Sequence, residues 1–441
     1  MAVRQGPNHI STQRIRIAQL AKKNPNRVFT ALHHYIDLQW MYEAYILTRK
    51  DGAVGIDEVT AKEYKVNLNE NLQNLLERFK SKRYRAPLIK RVHIPKGNKT
   101  GPIGITTFED KILQRAVAMV LEQIYEQDFH DFSYGFRPGR SQHMALKAVR
   151  DGLWKKDGYW VLSVDVKGYF DNINHKHLRG FLDQRVRDGV IRRMIDKWLK
   201  AGITEQGQVT YSDVGTPQGG VVSPLISNVF LHHVLDNWFE EAVLPRMVGR
   251  AQIVRFADDF LILFSREDDA RRVLDVLPKR FSKYGLEIHP EKTRLVRMYP
   301  PIPRRGQKPQ GRKRETLDFL GFTLYWGKLR NGKWAVLPKT SRGRLIRCLK
   351  VISAWCRSNM HRKIKHQSED LAKKLMGHYQ YYGVSFNHRS MGYFHFQTRR
   401  IWKYWLSRRS GKKHLSWESF ARKTERHPLP QPRITKSFMN S

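Results

Sequence analysis

The sequence predicts an α+β fold, and three observations support this class. Apolar runs of strand length alternate with longer segments whose apolar residues keep helical spacing. Two strand-like runs, 252–256 and 260–264, are separated by a short polar break, as in a hairpin. The chain has 441 residues, of which 40% are hydrophobic, enough for two or three domains with cores of their own. Strands, crossing helices and a hairpin together indicate a mixed layer of sheet and helices.

The N-terminal part of the chain is predicted to be largely helical. Residues 29–47 form an amphipathic pattern that ends before a glycine-containing break at 52–55. A second helix is predicted at 68–79, and a basic, strand-like run follows at 88–95.

Three later helices carry recognisable start or stop signals. Thr106 and Glu109 match a capping box for a helix whose apolar stripe we interpret as core. Ser223 followed by Pro224 matches an N-cap and the first helical position of another helix. Residues 268–284 keep helical spacing, and the glycine directly after them is a typical stop.

The region after residue 300 changes from helical spacing to turns and loops. Residues 300–314 are rich in proline, glycine and arginine without periodicity, which predicts a loop or linker. Its charge is typical of a solvated loop, or of a segment lying along a phosphate backbone. Two strand-like runs, 319–326 and 334–337, flank Asn331–Gly332, a strong turn signal.

The charge balance predicts a polyanionic partner. Lysine and arginine total 81 against 40 acidic residues, a net charge of +41, so binding through phosphate neutralisation is expected. A histone-like or ribosome-associated protein without chemistry would be poorer in apolar residues than this chain. From residue 340 onward there are 23 lysines and arginines but 4 acidic residues, interleaved with aromatics. That pattern is typical of RNA binding, although about half of these aromatics are expected in the core of a small helical domain.

Cysteine use and hydropathy bear on the compartment. Cys348 and Cys356 do not form a Cys-x-x-Cys pair, so neither a zinc knuckle nor a disulfide framework is indicated. No apolar run approaches the roughly eighteen residues of a membrane span. These features predict a protein of a reducing cytosol or nucleoid, with no membrane partner.

Three acids at strand ends predict a metal site. On a straight strand Asp258 and Asp259 would point to opposite faces, but a tight turn from Ala257 onward lets both project from the tip of the hairpin. Taken alone, the pair is more typical of a simple polar turn than of a metal site. Asp165 ends the buried-strand pattern 159–164, where an acid is costly unless it is paired or bound to metal. Three such carboxylates would suit two Mg²⁺ ions that assist a phosphoryl displacement.

Several motifs then resemble those of the reverse transcriptases encoded by bacterial group II introns. In chain order they are SYGFRPGRS at 133–141, DVKGYFDNI at 165–173, GTPQGG at 215–220 with SPL at 223–225, FADD at 256–259, GLEIHPEK at 285–292 and LDFLGF at 317–322. Six motifs in one order are far more specific than any one of them.

The resemblance implies the right-hand polymerase fold, with fingers and palm followed by a C-terminal α-helical thumb or maturase domain. The implied boundaries are an N-terminal extension and start of the fingers at 1–87, fingers and palm at 88–338, a helical thumb or maturase domain at 339–386, and a basic segment similar to a DNA-binding region at 387–441. No His-Asn-His endonuclease domain is expected.

The resemblance also implies an RNA-directed DNA polymerase that acts as a maturase of group II intron RNA. Asp165, Asp258 and Asp259 would be catalytic and, with Val166, would hold two Mg²⁺ ions, with Mn²⁺ as an alternative. The implied partners are group II intron RNA or another RNA template, a DNA primer or target, and dNTPs.

The nucleotide site is implied in the same way. Phe170 matches an aromatic steric gate that favours dNTPs over rNTPs, and Gln218 matches a residue that contacts the incoming nucleotide. Lys96 corresponds to a fingers lysine that holds the triphosphate, and Lys292 to a lysine near the active site.

Two departures from the family pattern concern the nucleotide site: one is expected to alter substrate contact without loss of activity, and the other bears on nucleotide affinity. Phe256 stands where the family usually has tyrosine, and Gly101 stands where it has a triphosphate-binding arginine, with Lys99 as the candidate substitute. The basic residues expected to contact nucleic acid are Arg137, Arg140, Arg304, Arg305, Arg312, Lys313, Arg399, Arg400 and Lys403.

Two other functions are compatible with the same motifs. One is an RNA-binding splicing cofactor with weak polymerase activity, a hypothesis suggested by the missing fingers arginine. The other is a domesticated relative that serves DNA repair or phage defence.

Overall fold

The computed structural model describes residues 8–96, 99–155, 157–211, 213–216, 219–300, 315–410 and 415–438. The chain divides into two compact units. The first comprises Met1–Ala145, Leu162–Ile262 and Glu267–Arg294, and the second comprises Leu146–Val161, Leu263–Arg266 and Leu295–Ser441.

Helices and strands alternate along the chain, which confirms the α+β class. The α-helices are α1 (Asn8–Lys23), α2 (Leu38–Leu47), α3 (Ala61–Val66), α4 (Leu68–Lys80), α5 (Phe108–Tyr125), α6 (Gln142–Lys155), α7 (His175–Asp183), α8 (Gly189–Leu199), α9 (Ser223–Leu231), α10 (Glu267–Ser282), α11 (Arg342–Asn359), α12 (Ile364–Tyr382), α13 (His388–Ser407) and α14 (Trp417–Thr424). The strands are β1 (Ile89–Lys96), β2 (Lys99–Ile105), β3 (Trp160–Val164), β4 (Val166–Lys167), β5 (Ile203–Glu205), β6 (Gln208–Thr210), β7 (Ala251–Phe256), β8 (Asp259–Phe264), β9 (Glu287–Ile288), β10 (Arg294–Arg297), β11 (Leu317–Phe319), β12 (Phe322–Lys328) and β13 (Trp334–Thr340).

Across the described residues, the strands form four sheets. One has the order β10-β3-β8-β7 and carries the predicted hairpin, and another has the order β2-β1-β5-β6. In the latter, β1 and β2 pair antiparallel from Lys90 opposite Ile105 to Lys96 opposite Lys99. β4 pairs with β9, and β11-β12-β13 form an antiparallel sheet. Lys328 lies opposite Trp334 across the turn predicted at Asn331–Gly332.

Helix α5 forms the centre of the first unit. Its predicted apolar stripe is buried, with Ile112, Val117 and Leu121 fully inaccessible to solvent, so the core interpretation is confirmed. The predicted capping box is wrong by one residue, because the Thr107 side chain accepts a hydrogen bond from the Asp110 backbone N–H.

Asp110 explains why no capping box closes at this helix end. Its carboxylate accepts hydrogen bonds from Tyr84 Oη at 2.6 Å, Trp198 Nε1 at 2.7 Å and Gln114 Nε2 at 2.9 Å. These partners hold the side chain in the core, where burial raises the pKa of Asp110.

The helix predicted at 29–47 is shorter in the structure. Phe29 exchanges backbone hydrogen bonds with Arg185 and Arg187, both at 2.8 Å, which draws the chain out of helical geometry. Helix α2 begins after Asp37, whose side chain accepts a hydrogen bond from Trp40 N and caps the helix.

Two other helix boundaries are close to their predictions. In α9 the cap position is Val222, and Ser223 is already the first helical residue. Helix α10 covers Glu267–Ser282 with Val273, Leu277 and Phe281 buried, and Gly285 beyond it has φ +79°, as a left-handed stop requires.

The second unit packs its C-terminal helices around aromatic side chains. Tyr379, Phe394 and Trp402 are buried, whereas Tyr393 and Phe396 remain half exposed. The expectation that about half of the aromatics would be core is confirmed. None of the described helices combines the length and apolar character that a membrane crossing requires.

Candidate active site

Asp258 and Asp259 lie at the tip of the β7–β8 hairpin, as predicted. Strand β7 ends at Phe256 and β8 begins at Asp259, so Ala257 and Asp258 form a two-residue turn. Ala257 adopts φ +57°, the positive value that one common type of two-residue hairpin turn needs at its first position. Asp258 is half-buried and Asp259 is exposed.

Asp165 lies at the same edge of the sheet. It directly follows β3, which neighbours β8. A Cβ atom placed on Gly158, just before β3, would lie 2.9 Å from the Cβ of Leu263, near the end of β8. The two strands therefore run antiparallel, and the end of β3 lies beside the start of β8. This brings Asp165 to the edge that bears Asp258 and Asp259.

The segment around β9 fixes the position of Asp165. The Asp165 carbonyl accepts a hydrogen bond from His289 N at 2.8 Å, and its N–H donates to Thr293 Oγ1 at 3.4 Å. Next to it, Val166 lies opposite Ile288 in the β4–β9 pair. Lys292 Nζ lies 3.3 Å and 3.4 Å from the two Asp165 carboxylate oxygens, so the structure brings these two predicted residues together.

Phe170 lies in a 3-10 turn, Tyr169–Asp171, that follows Gly168 at φ +54°. Its carbonyl accepts a hydrogen bond from Thr216 N at 2.7 Å, and its half-buried ring packs edge-on to Tyr169 at 5.3 Å. The Tyr169 hydroxyl donates to the Ser227 carbonyl at 2.7 Å. Burial raises the pKa of Tyr169 far above its usual range, and the charge of Asp258 acts in the same direction, so the phenol stays neutral.

The donor set at this edge is chemically suited to Mg²⁺, which prefers oxygen ligands and is often held by one or two carboxylates. Asp165, Asp258 and Asp259 supply three carboxylates on neighbouring strands. Within the described ranges, no three His, Cys, Asp or Glu side chains are close enough to form a metal-binding cluster as they stand. The Asp165 carboxylate faces the Lys292 ammonium group instead.

Several predicted site residues lie outside the described part of the chain, and for two others only the backbone is described. They are Gln218, the side chains of Lys96 and Lys99, and Arg304, Arg305, Arg312 and Lys313. Gly101, at the position of the missing arginine, pairs with Ile94 in the β1–β2 hairpin. Phe256 is half-buried, and its ring centre lies 6.2 Å from that of Phe136.

Two of the arginines expected to contact nucleic acid have partners within the protein, one buried and one at the surface. Arg137 is 7% exposed and donates to the carbonyls of His130 and Ser133 at 2.7 Å and 2.8 Å, besides pairing with Glu126 at 3.1 Å. These partners engage the Arg137 guanidinium group inside its own loop, so it is not available to a phosphate. The prediction that Arg137 contacts nucleic acid is therefore corrected. Arg140 pairs with Asp131 at 2.5 Å.

The C-terminal predictions divide in the same way. Lys403 is buried, with Nζ 5.2 Å from the Trp417 ring centre, so packing and not phosphate contact explains its place. Arg399 is half-buried above the same ring. Arg400 is exposed and lies over Phe396, which keeps it available to a ligand.

Sequence reasoning missed a buried network directly behind the acidic turn. Arg255, inside the apolar pattern of β7, is fully buried and pairs with Asp236. Asn228 contacts the same guanidinium group. The available signal was a charged residue between Val254 and Phe256, because a buried charge must have partners.

Residues 94–324, just over half of the chain, match the family described as reverse transcriptase (RNA-dependent DNA polymerase). The matched range contains all three acids of the candidate site.

Three relatives are similar to parts of the chain. The group II intron-encoded protein LtrA of Lactococcus lactis subsp. cremoris is 36% identical over 225 residues, which cover 50% of this chain and 37% of that protein. Protein YkfC of Escherichia coli K12 is 35% identical over 289 residues, covering 58% of this chain and 75% of that protein. The putative COX1/OXI3 intron 1 protein of Saccharomyces cerevisiae is 26% identical over 301 residues, covering 57% and 34%.

The chain thus spans little more than a third of the length of LtrA. Among solved structures, telomerase from Candida albicans in complex with a fragment of telomeric RNA matches 83% of this chain and 65% of that chain. Its TM-score of 0.43 and 13% identity make it too distant to support an inference.

Proposed function

The chain belongs to the reverse transcriptase family of RNA-dependent DNA polymerases, and from that premise we propose that it synthesises DNA on an RNA template by adding dNTPs to a primer 3′-hydroxyl. One observation carries the proposal. Asp165 and the Asp258–Asp259 turn lie at the same edge of a sheet inside the family-matched range. We place fingers and palm at 88–338, a helical thumb at 339–386 and a basic segment at 387–441, in a cytosolic protein.

Asp165, Asp258 and Asp259 would hold the Mg²⁺ ions, with Mn²⁺ as an alternative. When bound, such ions neutralise the charge that develops on the transferring phosphoryl group and lower the pKa of the attacking hydroxyl. The protein contributes the position of its carboxylates, since backbone hydrogen bonds from the β9 segment hold Asp165 and the hairpin turn sets Asp258.

Phe170 is proposed to select the sugar of the incoming nucleotide. A hydrogen bond from Thr216 N fixes its backbone carbonyl, and its half-buried ring packs against the buried Tyr169. A ring held in this way beneath the sugar would clash with a 2′-hydroxyl. Lys292, beside Asp165, is proposed to act near the triphosphate, together with Lys96, Lys99 and Gln218.

A primer-extension assay tests the polymerase proposal. Purified protein, an RNA template, a DNA primer, dNTPs and Mg²⁺ should give cDNA, and Asp258→Asn should abolish it. Asp196→Asn is the matched control, because Asp196 pairs with Arg179 on the surface of α8 at 2.7 Å. If the wild-type protein gives no product under conditions in which it is folded, the proposal fails.

A second candidate function, maturase activity on a group II intron RNA, is favoured by the surface of the second unit. A groove between α11 and α13 is lined by Lys350, Ser353, Arg357 and Trp405. Trp405 Nε1 donates to Ser353 Oγ at 3.1 Å, and the Arg357 guanidinium lies 5.8 Å from the indole centre. Cations beside an aromatic face suit phosphates and unstacked bases of RNA.

Exposed aromatic residues extend this basic surface along α13. Tyr393, Phe396 and Tyr404 are each about half exposed, and the Arg408 guanidinium lies 4.7 Å from the Tyr404 ring centre. In a splicing assay with the cognate intron, Asp258→Asn should retain stimulation if RNA binding is what splicing needs. Loss of splicing in this variant, with RNA binding intact, would contradict a separate maturase function.

A further inference from the structure

We propose that Arg255 is a positioning residue that, with Asp236 and Asn228, sets the backbone conformation of the Ala257–Asp258 turn. The proposal deepens the polymerase function stated above and rests on it for its catalytic consequence. The structural claim is that a buried guanidinium group holds the turn from its core side, and the contacts below support this claim independently of any activity.

The turn is held in a conformation that alanine rarely adopts. Ala257 has φ +57° and is 4% exposed. The left-handed region is unfavourable for a residue with a Cβ atom and persists when the surrounding structure fixes it. The chain uses alanine here and not glycine, so an external constraint must keep the turn in this conformation.

Arg255 supplies that constraint from within β7. Its Nε and Nη2 donate to the two carboxylate oxygens of Asp236 at 2.8 Å and 2.5 Å, a bidentate pair in which both side chains are fully buried. Its Nη1 donates to Asn228 Oδ1 at 2.9 Å and to the Ala257 carbonyl at 3.1 Å. The same guanidinium group therefore joins the helical layer to the turn, with the fixed fork geometry that lysine lacks.

The helical layer presents its two acceptors on one face. Asn228 lies in α9, and Asp236 ends a π-helical stretch, His232–Asp236, that continues it. Eight residues of a regular α-helix make about 2.2 turns, but a π-turn takes up one additional residue. Asn228 and Asp236 are then about two turns apart, and both point at Arg255.

A second backbone segment closes the other side of the turn. Asn228 Nδ2 donates to the Gly135 carbonyl at 2.7 Å, and a Cβ atom on Gly135 would lie 2.2 Å from Ala257 N. Arg255 N donates to the Phe132 carbonyl at 2.9 Å, and its carbonyl accepts from Tyr134 N at 2.8 Å. Because no side chain fits between Gly135 and the turn, a shift of either segment would displace Asp258.

Hydrogen exchange of the turn tests the proposal without requiring activity. In Arg255→Lys, the backbone amides of residues 257–260 should exchange about 10-fold faster than in the wild type, because the link to the Ala257 carbonyl is lost. Arg185→Lys is the matched control. Arg185 makes a comparable buried pair with Asp128, at 2.7 Å and 3.0 Å, and should leave the turn unchanged. Asn228→Ala removes the hydrogen bonds of Asn228 with Arg255 and with the Gly135 carbonyl, and Arg255 keeps its pair with Asp236. This variant replaces Arg255→Lys in the experiment if Arg255→Lys does not fold.

Primer extension then separates positioning from general destabilisation. At saturating dNTP, Arg255→Lys should lower kcat by about 100-fold with KM for dNTP within about 2-fold, since small misplacements of catalytic groups have effects of this size. Arg185→Lys should keep the wild-type kcat. Unchanged exchange at the turn in Arg255→Lys and Asn228→Ala overturns the inference, as does a kcat that falls equally in both arginine variants. If the wild type does not polymerise, the proposed function fails, and the exchange data still decide the role of Arg255.

Discussion

Lys292 Nζ lies 3.3 Å from the Asp165 carboxylate, so one acid of the candidate site has a cationic neighbour. Both side chains are substantially exposed, 58% for Lys292 and 38% for Asp165, and such a pair contributes little stability. Its effect is on the local charge that an arriving Mg²⁺ ion meets.

Lys292→Ala should therefore lower the Mg²⁺ concentration needed for half-maximal primer extension by about 2- to 5-fold at low salt, because a like charge near the ion is removed. A Mg²⁺ titration of the extension rate measures this. Lys167→Ala is the control, since Lys167 pairs with Glu287 at 3.1 Å on the neighbouring strand pair. An increased Mg²⁺ requirement in Lys292→Ala would contradict the prediction.

Phe170→Val should relax the discrimination between dNTPs and rNTPs. The smaller side chain leaves room for a 2′-hydroxyl, and we expect the ratio of kcat/KM for dNTP over rNTP to fall by about 10-fold or more, a loss typical of steric selection. Single-nucleotide incorporation with matched dNTP and rNTP gives the ratio. Phe136→Val, at an exposed ring on a neighbouring loop, is the control. A ratio that stays at the wild-type value would exclude Phe170 as the gate.

Local patterns predicted the acids of the site because each depends on its own strand. Asp165 follows a buried apolar run, and Asp258 and Asp259 interrupt an apolar hairpin, so alternation and turn preference were sufficient to place the three acids at strand ends. Their catalytic role was implied only by the ordered motifs, since the aspartate pair alone is also typical of a polar turn. The role of Arg255 depends on Asp236, nineteen residues earlier in a helical segment. A π-turn shifts the helical register in that segment, and the regular spacing of apolar residues does not predict such a turn.

Charge alone was a weaker guide to the basic residues. Lys403 and Arg137 share the composition of a nucleic-acid surface, yet both are buried. A long basic side chain can pack its alkyl stem in the core and find its partners inside the protein, and sequence does not distinguish that case from a surface contact. The groove residues Lys350, Arg357 and Trp405 converge only because α11 and α13 pack together.

The groove between α11 and α13 should carry part of the salt-dependent affinity for RNA. Lys350→Gln with Arg357→Gln should reduce the slope of log Kd against log salt by about 1.4, the value for two lost phosphate contacts with a single strand. Fluorescence anisotropy with a labelled RNA across a salt series measures the slope. Lys62→Gln with Lys65→Gln, at exposed positions of α3, makes the same charge change and should leave the slope nearly unchanged. Equal slopes for both double variants would show that the groove is not a specific contact.

Two histidines, the buried His232 and the half-buried His233, should make the first unit less stable in acid. Burial lowers the pKa of His232 to about 2 and that of His233 to about 4, and for His232 the neighbouring His233 and His130 act in the same direction. Both side chains are therefore neutral in the folded protein, while in the unfolded chain they take up protons near pH 6.5. Their contribution to stability is complete above that pH and is lost progressively as pH falls from 6.5 toward the folded values.

Between pH 7 and pH 5, each of these histidines should lower the free energy of unfolding by about 2 kcal/mol, the cost of proton uptake by the unfolded state alone. His232→Gln should reduce this loss of unfolding free energy by about 2 kcal/mol, the contribution of one histidine. His361→Gln, at an exposed position, should keep the full wild-type pH dependence. Urea unfolding at a series of pH values, followed by a probe within residues 162–262, measures both. A His232→Gln protein whose stability falls with pH as steeply as the wild type would show that the buried imidazole is protonated in the folded state, and the depressed pKa would then be wrong.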